Sequence, residues 1–189
     1  MILNPQIVRE IFDNLLAIQK EVFAEYLKYL GKYLDIIFYA DDLGMQDRPQ
    51  ISPKMYREMI KPYHKAIFSF IRERTDARIF LHSCGDIYPF LEDLIEAGVD
   101  IINPVQLSAR EMEPKKLKDE FGRKLIFWGG IDEQFLINKF SQNEILLKVK
   151  EIVEILGRDG GYVAAISHNV QEDTPPENII AVFDYIEKL

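Results

Sequence analysis

Apolar residues recur along this chain in two alternating rhythms. From about Pro5 to Leu30 they fall at helical spacing (Ile7, Val8, Ile11, Leu15, Ile18, Val22), and Gly31 is placed to end that helix. Asp35 to Tyr39 is then a short apolar run of strand length. Ser52-Pro53 reads as a helix start, with Ser as N-cap and Pro at the first helical position. The helix that follows extends to about Arg74, with a kink or break predicted at Pro62. The alternation continues with strand RIFL at Arg78–Leu81, a helix from about Tyr88 to Ala97, and strand VDIINP after Gly98. A short helix near Pro114–Phe121 precedes KLIFWGG, and a longer one near Gln142–Leu156 precedes YVAAIS. A last helix begins near Pro175-Pro176-Glu177.

This pattern predicts five strands, each separated from the next by a helix. The strands are nearly continuous apolar runs, as expected for strands buried on both faces, so the sheet is expected to be parallel. No linker or low-complexity segment divides the chain, and residues 1–189 read as a single α/β domain.

Parallel α/β folds carry their sites at the C-terminal ends of the strands. The five ends here are Asp41-Asp42-Leu43-Gly44, His82-Ser83-Cys84-Gly85-Asp86, Asn103-Pro104-Val105-Gln106, Gly129-Gly130-Ile131-Asp132 and Ser167-His168-Asn169. Turn formation alone favours Gly, Asn and Asp, so two histidines and the only cysteine exceed what it requires. His82 and Cys84 are two apart at one strand end, which turns both toward the mouth and leaves Leu81 and Ser83 facing the helices. Imidazole and thiolate are zinc ligands, and three protein donors with one open position is the usual catalytic arrangement; His168 is the candidate third donor. The alternative is a polar pocket of hydrogen-bonded histidines in which Cys84 only packs. Asp41 and Asp42 are adjacent and point in opposite directions, so one faces the pocket as base or ligand while the other holds the turn. Asp132 and Glu172 also fall near the mouth, where acidic residues are common. His64 is expected to be a helix-surface or interhelical histidine, and Trp128 either packs or lines a pocket.

Charge narrows the partners. The formal net charge is -8 with no basic run, which argues against nucleic acid. No apolar stretch has the length of a membrane span, and MILNPQIVREIF lacks a signal-peptide layout. A single cysteine allows no internal disulfide and fits a reducing cytoplasm.

Four segments in order carry a family resemblance: DDLGMQDRPQISPKMYREMIKPYHKAI, FLHSCGDIYPFLEDLIEAGVDIINPVQ, FWGGIDEQ and ISHNVQEDTPPENI. Together they resemble the uroporphyrinogen decarboxylase superfamily over nearly the whole chain. The resemblance implies a (β/α)8 TIM barrel of which this chain holds about five units, the C-terminal portion. The superfamily contains a metal-free decarboxylase of porphyrin biosynthesis and corrinoid-linked methyltransferases that use zinc to activate a thiol. The His82-Ser83-Cys84 run resembles the zinc-binding His-x-Cys of the methyltransferases. Many of those have a cysteine where this chain has His168, and a histidine there is also what decarboxylases carry. The resemblance therefore implies zinc at His82, Cys84 and His168 and a corrinoid on a separate protein, with a small thiol as acceptor. The alternative it allows is a metal-free carboxy-lyase acting on a tetrapyrrole-like substrate, in which His168 and Asp41 or Asp42 handle protons. A third is an incomplete, non-catalytic barrel. An eight-stranded barrel needs three more units, so the strands at Ile36–Tyr39 and Tyr162–Ile166 are expected to be open edges that invite a second copy or a companion subunit.

Overall fold

The computed structural model describes residues 3–189. Five parallel strands lie side by side in chain order, β1 (Ile36–Ala40), β2 (Arg78–His82), β3 (Ile101–Asn103), β4 (Ile126–Ile131) and β5 (Tyr162–Ile166). Among the described residues β1 pairs only with β2 and β5 only with β4, so the sheet is an open α/β arc of TIM-barrel type rather than a closed ring. The helices are α1 (Pro5–Leu30), α2 (Pro53–Met59), α3 (Lys61–Arg72), α4 (Leu91–Ala97), α5 (Pro114–Phe121), α6 (Gln142–Leu156) and α7 (Pro176–Ile186).

Local chemistry sets the boundaries. The Ser52 hydroxyl accepts from the Met55 N–H at 3.2 Å and starts α2. The expected break falls at Ile60, and Pro62 then lies in the first turn of α3, where its missing N–H costs nothing. Gly98 ends α4 at φ 111°, a conformation that a side chain would strain. The Glu144 carboxylate reaches back to the Ser141 N–H at 3.0 Å and fixes the start of α6. The segment expected as one helix from Tyr88 opens instead as a 3-10 turn, Tyr88–Phe90, before α4 begins.

The main core fills the space between the outer face of the sheet and the helices. Ile37, Ile79, Leu81, Ile102 and Phe127 pack there with Phe68, Ile71, Phe90, Leu94 and Leu117. A second cluster joins Ile131 to Leu136, Ile145, Val149 and Val182 under α6 and α7. The expectation that the strands are buried on both faces fails at the two ends of the sheet. Phe38, on the inner face of β1, is 62% exposed, and every residue of β5 is only half-buried. With the ring open, nothing among the described residues covers these inner side chains.

The apolar stripe that marks α1 as a helix is likewise uncovered. Ile7, Ile11, Leu15, Ile18 and Val22 are all exposed, whereas Phe12, Leu16, Phe23 and Leu27 face α3 and the sheet. The helix therefore carries two apolar stripes, and the more regular of them is the exposed one.

Candidate metal centre

Register places the chemistry. His82 closes β2 and lies beside Ala40 of β1 and Asn103 of β3. The chain then leaves the strand through Ser83-Cys84-Gly85, and three outside groups pin that exit. The Ser83 hydroxyl accepts from the Leu43 N–H at 3.0 Å, the Asp42 carboxylate from the Cys84 N–H at 2.8 Å, and the Gln106 side-chain oxygen from the Gly85 N–H at 2.9 Å. Gly44 packs directly on this backbone; a Cβ there would sit 2.6 Å from the Asp86 nitrogen and the Cys84 oxygen. Only glycine permits so close an approach.

Cys84 Sγ is 3.4 Å from His82 Nε2. Donors bonded to one zinc at roughly 2.0 and 2.3 Å in tetrahedral geometry lie about 3.5 Å apart, so this pair already has the spacing of two ligands. The other imidazole nitrogen fixes the tautomer. Asn103 gives its amide N–H to the Trp128 carbonyl at 3.2 Å, which leaves its Oδ1 to accept from His82 Nδ1 at 2.6 Å. His82 Nδ1 thus carries the hydrogen and Nε2 presents its lone pair toward Cys84, the arrangement typical of a metal-bound histidine.

His168 completes the set. It follows β5 by two residues, and Ser167 anchors that exit by donating from both its N–H and its hydroxyl to the Ile131 carbonyl, at 2.8 and 3.0 Å. Donor atoms of His82, Cys84 and His168 all lie within 4.8 Å of one another, although His168 is exposed while the other two are half-buried. The three residues singled out from the sequence are therefore one cluster.

The two aspartates diverge. Asp42 turns to the cluster, where it holds the Cys84 N–H and acts on the thiol. Asp41 turns to the helices, where its Oδ2 meets His64 Nε2 at 3.1 Å. Asp41 is thus not at the cluster, because neighbouring residues of an extended chain project to opposite faces. His64 is not a surface histidine either: it is 2% exposed, with Nδ1 3.0 Å from the Tyr56 hydroxyl. Asp132 is a cap, accepting from the Phe135 and Leu136 N–H groups, and Trp128 packs edge-on against Phe80. Glu172 is exposed.

Two contributors have no periodic signature. Asn103 could have been suspected as a polar residue closing a strand beside His82. Glu133 follows Asp132 in a single π-helical turn, Glu133–Ile137, and is 5% exposed. It lies beside the His168 backbone, and its Oε2 is buried without a partner among the described residues. Burial, with the Asp132 charge beside it, pushes its carboxyl pKa up. Burial, then the charge and hydrogen bond of Asp42, and then Glu133 push the Cys84 thiol up to about 11. A bound cation would relieve this crowding of negative charge, so the donor set and its surroundings fit a metal.

A family model described as uroporphyrinogen decarboxylase matches residues 4–189. Among curated proteins, the chain is 23% identical over 183 residues to a uroporphyrinogen decarboxylase from Thermosynechococcus vestitus, covering 90% of this chain and 50% of that one. It is 29% identical over 146 residues to the protein of the same name from Aliivibrio salmonicida, covering 74% of this chain and 38% of that one. The chain thus spans half or less of the length of these relatives. A solved methyltransferase from Methanosarcina mazei superposes with a TM-score of 0.63 at 23% identity, over 82% of this chain and 42% of that one, a likeness of fold.

Proposed function

We propose, from the premise that this chain belongs to the uroporphyrinogen decarboxylase family, that it is a zinc-dependent methyltransferase part carrying a methyl group from a corrinoid, held on a separate protein, to a small thiol. The observation that carries this reading is the His82–Cys84 pair at 3.4 Å, with the outer nitrogen of His82 already committed to Asn103. A polar pocket of hydrogen-bonded histidines also explains the bond to Asn103, but it does not call for a thiol at ligand spacing from the other nitrogen. His82, Cys84 and His168 would hold the ion, which when bound supplies the Lewis acidity that keeps an acceptor thiol ionised at neutral pH. The chain's own part is positional. Asn103 orients His82, and Asp42 and Gln106 fix the backbone at Cys84 and Gly85. The single cysteine implies work in a reducing cytoplasm.

Metal analysis tests this directly. Protein grown with added zinc and purified without chelator is expected to hold about one zinc per chain. Content well below one per chain would sink the methyltransferase reading. It would leave the metal-free carboxy-lyase ahead, which the names of the curated relatives favour, with His168 and Asp42 as proton-handling groups. Conversion of uroporphyrinogen itself is not expected, because a chain of net charge -8 repels a polyanion.

On either reading the 189 residues act as one domain, the C-terminal portion of a barrel that further β/α units close. The support is the pair of open edges, with Phe38 bare on the inner face of β1 and the apolar stripe of α1 bare on the outer side. Unpaired strand edges flanked by apolar surface favour association with a second copy or a companion subunit. Light scattering at micromolar concentration should therefore find an assembly, and a well-behaved monomer would count against it.

A further inference from the structure

The two carboxylates that follow β1 make different hydrogen bonds, Asp42 with the Cys84 N–H and Asp41 with His64. Asp41 faces a cleft of about 420 Å³ between α1, the end of β1 and α3. Phe12, Tyr39 and Tyr63 supply aromatic surface to this cleft, and Gln19 lies among them. Its lining includes Asp41, Asp42 and His64 but no lysine or arginine, so carboxylates dominate the charge that it offers a ligand.

Behind Asp41 stands a buried chain of hydrogen bonds. Tyr56 is fully buried, and burial, with the charges of Asp93 and Asp41, pushes its phenol pKa far up. Its hydroxyl proton therefore stays in place and is donated to His64 Nδ1 at 3.0 Å. His64 Nε2 then carries a hydrogen and donates it to Asp41 Oδ2 at 3.1 Å. This fixes the carboxylate through one oxygen only. Among the described residues nothing donates to the other, Oδ1, and the side chain keeps 44% of its surface exposed. An aspartate that served only to tie β1 to α3 would gain nothing from leaving that oxygen free beside aromatic walls.

We propose that this cleft is a second small-molecule site, distinct from the metal cluster, that takes an organic ammonium ion with an apolar body. The N–H groups of the ammonium meet the free oxygen of Asp41, its charge lies against the faces of Tyr39 and Tyr63, and its body rests on Phe12, Leu16 and Ile60. A cleft of this volume suits a ligand of one or two rings.

Benzylammonium, benzyl alcohol and benzoate share one body and differ in charge, so a calorimetric titration of the full chain with the three needs no variant. Benzylammonium is expected to saturate at about millimolar concentration, benzyl alcohol to bind about tenfold more weakly, and benzoate not to bind. Asp41→Asn should weaken the ammonium about tenfold while the thermal midpoint shows the variant folded. Cys84→Ser, which empties the metal cluster, should leave the ammonium affinity unchanged, so this result is separable from the zinc reading. Absence of saturable ammonium binding, benzoate or benzyl alcohol binding as well as the ammonium, or loss of binding in Cys84→Ser would each overturn the proposal.

Discussion

The two strand ends that supply the metal donors are built differently. After β2, the segment Ser83-Cys84-Gly85 is held from three sides, by Leu43, Asp42 and Gln106, and pressed against Gly44. After β5, Ser167 is anchored to the Ile131 carbonyl, but the chain from His168 through Asp173 is exposed. The first two donors are therefore held from several sides, and the third sits on an exposed segment. Preorganised donors deliver nearly their whole interaction energy, because little conformational entropy is left to lose. A donor whose segment is ordered only on binding would keep less of its energy.

The largest effect should follow from breaking the rigid end. Structural zinc sites bind with about 10–16 kcal/mol over four ligands, so one donor accounts for about 3–4 kcal/mol, roughly a hundred- to thousandfold in affinity. Cys84→Ser and His82→Ala are each expected to lose that much, and zinc content after dialysis against a weak chelator is the readout. If either variant keeps stoichiometric zinc, the pair is not the heart of the site.

The same end carries a pH dependence. As a metal ligand Cys84 would be a thiolate, and its thiol in the free protein is raised to about 11, so it is protonated at neutral pH. Each metal bound must therefore release that proton, and affinity falls as pH falls. Between about pH 7 and pH 9 the binding constant should rise about tenfold per pH unit. A competition titration that gave a flat profile would mean that Cys84 is not a ligand.

A finer cut leaves every donor in place and removes only the orientation. Asn103→Leu takes away the acceptor at 2.6 Å from His82 Nδ1 and frees the ring to change tautomer. Loss of such a supporting group typically costs 10–100-fold in metal affinity, and about thirtyfold is expected here. Far-UV circular dichroism should remain unchanged. A loss under threefold would show that packing alone orients the ring.

How much of this was legible in the sequence follows from what each residue depends on. The strand count, the parallel order and the grouping of His82, Cys84 and His168 come from period, strand length and the rule that sites gather at strand ends. These are properties of short segments. Asp41 and Asp42 were legible as a divergent pair, but which of them faced the cluster depended on the register of β1 against β2. Of the two places open to His64, helix surface or between helices, the second is the one found, against Tyr56 of the preceding helix, and its bond to Asp41 depends on the fold bringing the end of β1 to α3. The stripe of α1 gave the right element and the wrong burial, since a period reports that one face meets apolar surface but not whose surface it is. Glu133 gave no signal, because an acidic residue after a strand resembles any solvated turn until its burial is seen.

The smallest effect is expected at the mobile end, and it tests the comparison itself. As a donor, His168 is worth the same 3–4 kcal/mol as the others in principle. Against this stands the cost of ordering its exposed segment, about 1–2 kcal/mol per residue fixed. If one or two residues are fixed, the net loss on His168→Ala is about 1.4 kcal/mol, or roughly tenfold in affinity. The inequality is the content of the prediction: removing a direct ligand on the loose end should cost less than removing the indirect support, Asn103, on the rigid end. Cobalt substitution gives a second readout, because its visible spectrum reports coordination. His168→Ala should keep the sulfur-to-metal charge-transfer band while changing the ligand-field bands. Should His168→Ala prove as damaging as Cys84→Ser, the segment after β5 is already ordered in solution, and the contrast between the two ends disappears.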